Sequence, residues 1–250
     1  MTLPSVAIVI VNWNGREFIG DCLGALRELD YPRDRVQAMV VDNGSSDGSV
    51  EFVRSTFPEV PVHEHEVNNY ARANNFGVRT TTTDYVAFLN SDARVEPRWL
   101  QALVAALEAN PRAGGAGSKI LFTDGRINST GLEFLPGFHF RDRGFGEQDT
   151  GQFPTGEVAG LSGCAVLWRR AALRDAGLLD EDFEMYYEDV DQSFRMRRHG
   201  WVLLFVADSI VHHLYNASIK KSPQRGRTST ASATGCSCWR ATSRTICRST

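Results

Sequence analysis

The sequence predicts an α/β fold with a mostly parallel central sheet and helices on both faces, and three observations predict it. Short apolar runs rich in β-branched residues recur at Val6–Val11, Val36–Val41 and Tyr85–Leu89. Between them stand segments whose apolar residues repeat at three- and four-residue spacing, and each run ends abruptly in polar residues. Strands that are apolar throughout, separated by amphipathic helices, are the signature of a parallel sheet buried on both faces. Such sheets bind their ligands beyond the carboxyl ends of the strands, so the polar residues at those ends are the first candidates for a site.

Val6–Val11 ends in Asn12-Trp13-Asn14-Gly15. Phe18, Ile19, Cys22, Leu23, Leu26 and Leu29 then give a helix one apolar face, closed at Tyr31-Pro32. Val36–Val41 runs into Asp42-Asn43-Gly44-Ser45-Ser46-Asp47-Gly48, a loop dense in side-chain oxygens, and a helix from Ser49 turns Val50, Phe52 and Val53 inward. Asp42 suits a base N–H or a ribose hydroxyl, and equally an Asx-turn within its own loop. After a short edge strand at Val60–His65, a helix over Tyr70–Arg79 carries Arg72, Asn74 and Asn75. Arg72 has the geometry for a bidentate phosphate contact, against a plain role on a solvated helix surface.

In Tyr85–Val95, YVAFLNSDARV, a core strand gives way directly to Asn90, Ser91 and Asp92. Asp92 reads either as a ligand group or as the cap of the helix that follows at Trp99–Leu107. No GxGxxG follows the first strand and no GxxxxGK[ST] occurs, which excludes the usual dinucleotide and P-loop sites. Beyond the strand Gly114–Phe122 the pattern loosens from Thr123 to Glu157, with many glycines and with Phe134, Phe138, Phe140, Phe145 and Phe153. An aperiodic stretch carrying aromatics reads as a binding surface or lid, here the acceptor side. Cys164, before the strand Ala165–Trp168 and the helix Arg170–Ala176, reads as a small buried residue, since nothing near it in sequence supplies a base.

LDEDFEMYYEDVDQSFR, from Leu179 to Arg195, holds seven carboxylates. A helix starting near Glu188 would place several in its first turn, where the helix dipole favours negative charge. Phe183, Met185, Tyr186 and Tyr187 would also wall them from water, and desolvation raises a carboxylate's proton affinity towards that of a general base. A strand at Val202–Val206 leads on to His212-His213, where a histidine near Asp92 would suit a divalent ion.

At 250 residues with a net charge of −3, the chain is long enough for a full core. No run approaches the roughly 20 apolar residues of a membrane span, and the amino terminus shows no secretory pattern. Five cysteines fit neither a disulfide framework nor a zinc spacing, so reduced thiols and a cytoplasmic setting are expected. Past Ala217 every charged residue is basic, and residues 219–250 read as a Ser/Thr/Arg-rich tail, disordered or aberrant, after a domain over 1–218.

Taken together, VNWNG, VDNGSSDGS, ARANNFGV, FLNSDARV, LSGCAVLWRR, LLDEDFEMYYEDVDQSFR and VHHLYNAS, in that order over Val6 to Ser218, resemble the inverting glycosyltransferases of family 2, especially the rhamnosyltransferase-like members. That resemblance implies the GT-A fold and a nucleotide-diphosphate-sugar donor, dTDP- or UDP-linked, with Asn12, Asn14, Asp42, Arg72, Asn74 and Asn90 as donor contacts. Asn90-Ser91-Asp92 looks like a variant of the family's metal-binding DXD, in which Asp92 would ligate Mg2+ or Mn2+ and His212 would be a second ligand. Asp189 looks like the catalytic base, with Glu188 and Asp191 orienting or binding the acceptor. The implied partner is a saccharide or polyprenyl-linked acceptor, met in the cytoplasm or at the inner face of the membrane; no nucleic acid is expected. Asn69 stands where the family often has Gly, in a turn where positive φ is expected. A non-catalytic nucleotide-sugar-binding remnant is the alternative reading.

Overall fold

The computed structural model describes residues 3–136 and 139–214; the expected tail at 219–250 and Phe138 lie outside the described residues. In chain order the elements are β1 (Val6–Asn12), α1 (Ile19–Arg27), β2 (Val36–Asp42), α2 (Ser49–Thr56), β3 (Val62–Glu64), α3 (Tyr70–Thr80), β4 (Tyr85–Asn90), β5 (Ala93–Val95) and α4 (Trp99–Ala109). Then come β6 (Ala113–Phe122), β7 (Ile127–Ser129), β8 (Leu132–Leu135), β9 (His139–Asp142), β10 (Gly156–Glu157), β11 (Ala165–Arg169), α5 (Arg170–Ala176), α6 (Glu188–Arg198) and β12 (Val202–His213).

The main sheet runs β10-β12-β6-β11-β4-β1-β2-β3. Four strands, β3, β2, β1 and β4, are parallel, as the alternation of strand and helix predicts. The sheet is more mixed than expected, because β11 runs antiparallel to both β4 and β6. Between β6 and β11 the chain makes no helical crossover; it leaves the sheet as hairpins and returns, so it can re-enter in reverse. The stretch that looked loose in sequence holds β7, β10 and a separate β8–β9 hairpin. Its strands are two to four residues long, too short for a period-two pattern to stand out.

Alternation along β1 divides the core. Val6, Ile8 and Ile10 pack with Ile19, Cys22 and Leu23 of α1 and with Trp99, Leu100 and Leu103 of α4. Ala7, Val9 and Val11 face Ala71, Ala73 and Val78 of α3, with α5 and α6 further along the same side. The helix α3 lies so close to β1 that a Cβ at Gly77 would sit 2.3 Å from Val9 Cγ2. β5 pairs with the end of β12, bringing Ala93–Val95 opposite Val211–His213. Among the described residues no helix is long and apolar enough to cross a membrane.

Candidate active site

At the carboxyl ends of β1 and β2 a buried polar cluster forms. Asn12 and Asp42 are register partners on these strands, and both are almost wholly buried. Asn12 Nδ2 donates to Asp42 Oδ2 at 2.7 Å and to Ser49 Oγ at 2.9 Å. Ser45 closes the loop over the carboxylate, donating its N–H to Asp42 Oδ1 at 2.8 Å and its hydroxyl to Oδ2 at 2.6 Å. Asp42 therefore closes its own loop, as the turn reading anticipated. Asn12 Oδ1 is buried without a hydrogen-bond partner. Gly15 makes room for it, since a Cβ there would stand 2.1 Å from that oxygen. Asn14, at φ +50°, ties the two loops together: its N–H donates to Ser45 Oγ and its Oδ1 accepts from the Ser46 N–H.

The second cluster sits where β4 ends and β12 arrives. Asp92 is 6% exposed, and Oδ1 lies 3.1 Å from Nε2 of His213. The other ring nitrogen of His213 is 2.8 Å from Asn128 Oδ1 at β7. Burial opposes protonation of His213, but the neighbouring Cys164 and Asp92 outweigh it and hold the imidazole well above its usual range. The helix cap considered for Asp92 is not formed, because α4 follows Arg98 with no side-chain cap.

The third cluster opens α6. Asp189 accepts from the Gly163 N–H at 2.9 Å and from the Val190 N–H at 2.8 Å, which fixes its carboxylate against the segment before β11. Burial raises its proton affinity despite those donors. Glu188 beside it is 6% exposed and its Oε2 has no hydrogen-bond partner. Burial first, and the charge of Asp189 second, push Glu188 up to about 8. Tyr70 of α3 lies over the pair, its hydroxyl donating to the Gly163 carbonyl at 2.8 Å. A buried pair of carboxylates that cannot both ionise cheaply near neutral pH has the chemistry of a proton acceptor and its regulator.

Glu188 makes the stability of the fold depend on pH. The folded chain holds this proton up to about pH 8, whereas the unfolded chain releases it near 4.5. Between those values the folded state binds the extra proton, so the stabilisation is complete below 4.5 and is lost as pH rises to 8. The melting temperature is expected to fall across that window, and Glu188→Gln to flatten the fall; identical slopes in the two proteins would show that Glu188 is solvated.

Several expected site residues are placed elsewhere. His212 and His213 are adjacent on a strand and so face opposite ways. It is His213 whose Nε2 meets Asp92, while His212 Nε2 lies 2.9 Å from Glu96 Oε1 and His212 lines, with Asp92, the cavity beside Phe18 and Cys22. The guanidinium of Arg72 pairs with Glu181 at 3.2 Å instead of reaching into the crevice. Asp191 is held by Arg195 at 2.7 Å, and that arginine also donates to the Ala176 and Leu178 carbonyls, so Asp191 anchors α6 to the end of α5. Asn74 is buried, donating to the Tyr70 carbonyl and leaving Oδ1 without a partner. Asn90 is half-buried at the end of β4, its N–H bonded to the Cys164 carbonyl. Asn69 is extended at φ −135° and caps α3 by accepting from the Arg72 N–H, so the positive φ expected there is not needed. Cys164 is buried as expected, yet its sulfur is hydrogen-bonded to His213, a neighbour supplied by a distant strand.

Asp142 was not singled out in the sequence. It ends β9, half-buried, and burial raises it to about 6, with a hydrogen bond from Ser129 opposing and the charge of Asp189 adding to the rise. Its signal was faint: Phe140 and Asp142 alternate with His139 and Arg141, but over a single four-residue strand.

A parallel half sheet followed by a reversed strand, with polar clusters gathered at the carboxyl ends of β1, β2 and β4, is the GT-A architecture. The Pyrobaculum calidifontis mannosyltransferase PcManGT, solved in complex with GDP-Man and Mn2+, has this fold, with a TM-score of 0.64 over 90% of this chain and 59% of that one at 19% identity. Residues 7–177 match the family model for glycosyl transferase family 2, and the chain belongs to that family. Among relatives, glycosyltransferase AglE of Haloferax volcanii is 32% identical over 111 residues, covering 42% of this chain and 36% of AglE. The N-acetylglucosaminyl-diphospho-decaprenol L-rhamnosyltransferase of Mycobacterium tuberculosis is 28% identical over 215 residues, covering 75% of this chain and 70% of the relative. The chain spans 36 to 48% of the length of the first curated relatives it matches.

Proposed function

We propose that the chain is an inverting glycosyltransferase domain that moves a sugar from a nucleoside-diphosphate donor to a hydroxyl of a saccharide acceptor. One observation carries this reading: the Asn12–Asp42 cluster, the Asp92–His213 pair and the Glu188–Asp189 pair all stand at the same end of one sheet. The orphaned Asn12 oxygen offers an acceptor to a base or ribose. Asp92 offers a carboxylate to Mg2+ or Mn2+, and His213 a nitrogen once its proton leaves. Among the described residues no group of three or more His, Cys, Asp or Glu gathers as a metal centre. A two-residue set suits a hard cation that takes most of its oxygens from a diphosphate and water. When bound, the ion neutralises charge on the departing diphosphate. Asp189 takes the proton from the acceptor hydroxyl as that oxygen attacks the anomeric carbon, and Glu188, kept neutral, leaves Asp189 the ionised partner.

Rhamnose as the transferred sugar and a polyprenyl-linked saccharide as acceptor are suggested by the mycobacterial relative's own substrate. Membrane contact would follow from such an acceptor. Calorimetric titration with UDP-, dTDP- and GDP-sugars, with and without Mn2+, tests the proposal when nucleotide release is followed in the same samples. Metal-dependent binding of one donor and its slow release are expected, and Asp92→Ala should lower the metal-dependent affinity by about tenfold or more. A folded sample that binds no donor would identify a non-catalytic relative instead.

A further inference from the structure

We propose that Phe140, Asp142 and Tyr187 form a subsite that holds the acceptor as a pyranose ring, an inference that rests on the transferase reading above. Phe140 and Asp142 lie two residues apart on β9 and so share one face; both are half-buried, whereas His139 and Arg141 between them are exposed. That face meets the segment carrying the base. The rings of Phe140 and Tyr187 stand edge to face with centroids 5.0 Å apart, and Asp142 lies within electrostatic reach of Asp189. One strand thus presents an aromatic ring and a carboxylate to Tyr187 and Asp189, themselves two residues apart.

This combination matches a pyranose. A sugar ring has a face of C–H groups, which packs on an aromatic ring, and a rim of hydroxyls, which donate to a carboxylate. A polyprenyl chain would use the aromatics but leave Asp142 desolvated against hydrocarbon, which is costly. Two further observations point to a ligand here. Glu188 Oε2, next to Asp189, is buried and has no hydrogen-bond partner, so the carboxylate cluster is not satisfied from within. Tyr187 is 38% exposed and is held at φ +72°, and Tyr186 before it at φ +71°, a backbone region that large side chains rarely occupy. Strain of this kind persists where the surroundings fix a side chain for use. Phe134 and Phe194, with centroids 5.5 Å apart, continue the wall outward, and Phe194 is 49% exposed, so the subsite opens to solvent at the side from which a longer saccharide would enter.

The test is saturation-transfer NMR on the full chain with methyl α-mannoside, methyl α-rhamnoside, methyl β-N-acetylglucosaminide and a decyl glycoside, with calorimetry of UDP plus Mn2+ on the same samples. Ring protons of at least one glycoside should receive saturation, and Tyr187→Ala and Asp142→Asn should weaken that glycoside by about tenfold while UDP binding stays unchanged. Tyr187 is exposed, so its truncation should leave the fold intact, and it decides the matter if Phe140→Ala does not fold. The subsite is overturned if no glycoside is saturated, if the variants bind it as the parent does, or if saturation reaches only the decyl chain. Glycoside binding that is lost in the variants, in a protein that never binds nucleotide, would overturn the donor reading while leaving the subsite standing.

Discussion

Replacing Asp189 by Asn is expected to lower kcat by about a thousandfold while leaving nucleotide-sugar affinity unchanged, because a positioned general base contributes roughly 10²–10⁴ in rate. The amide keeps the volume and can still accept from the Gly163 N–H at the position where Asp189 Oδ2 now stands 2.9 Å away. The amide's one oxygen cannot also accept from the Val190 N–H, now 2.8 Å from Oδ1, so part of the loss is local positioning; the missing proton acceptor should still appear in the turnover step and not in binding. The same variant should abolish the rise of activity with pH that ionisation of the Glu188–Asp189 pair produces, because burial raises both carboxyls and the parent enzyme gains its base only as the pair loses a proton. Steady-state kinetics across pH, with calorimetry of donor binding, reads both quantities. A variant that turns over like the parent would remove Asp189 from the mechanism.

Trp99→Ala is expected to cost about 3–5 kcal/mol of folding stability, read as a shift in the denaturant midpoint without a change in slope. Trp99 is wholly buried at the start of α4, and its indole N–H donates to Ser118 Oγ of β6 at 2.9 Å. Ser118 and Ser209 hydroxyls are 3.0 Å apart, and Ser209 also donates to the Trp99 carbonyl at 3.2 Å. One side chain thus ties a helix to β6 and to the bulge of β12 between Val206 and Ile210, four residues before His213 counting from Ser209. Truncation opens a cavity among residues that cannot collapse into it, because α4 and the sheet are held at fixed distance by Leu100, Leu103 and Leu107. A loss well below that range would mean that the sheet closes over the gap.

The half of the molecule from β1 to α4 was legible because its signals are long and periodic. β1, β2 and β4 are six or seven residues of nearly unbroken apolar sequence, and α1, α3 and α4 carry clear helical stripes. Asn12, Asp42 and Asp92 could be placed at strand ends from chain order alone. The stretch from β7 to β11 was not legible in the same way. Its strands are too short to show a period, so no local pattern marks Asp142, and the reversed direction of β11 leaves no trace in its apolar sequence. His212 and His213 lie on opposite faces of β12, and the bulge between Val206 and Ile210 resets which of them faces Asp92 in a way that no apolar pattern records. The partners of Arg72 and Asp191 were hidden for a different reason. Each is a charged residue of suitable type at a suitable distance along the chain, but Glu181 and Arg195 reach them first, and pairing across the fold is invisible to local pattern.

The reversal of β11 brings the chain back beside the strand it left. Gly115–Gly117 of β6 pair directly with Val166–Trp168 of β11, so both ends of the excursion between them are pinned side by side in the sheet. Within it β7 and β10 rejoin the main sheet, whereas the β8–β9 hairpin pairs only with itself, so the main sheet does not set that hairpin's length. For a flexible insertion, each doubling of length adds only about 0.6 kcal/mol of closure entropy. A longer or shorter β8–β9 hairpin is therefore expected to leave the register of β1, β2 and β4, and with it Asn12, Asp42 and Asp92, unshifted. In such a chassis one hairpin can vary while the polar clusters at the strand ends stay where the parallel strands set them.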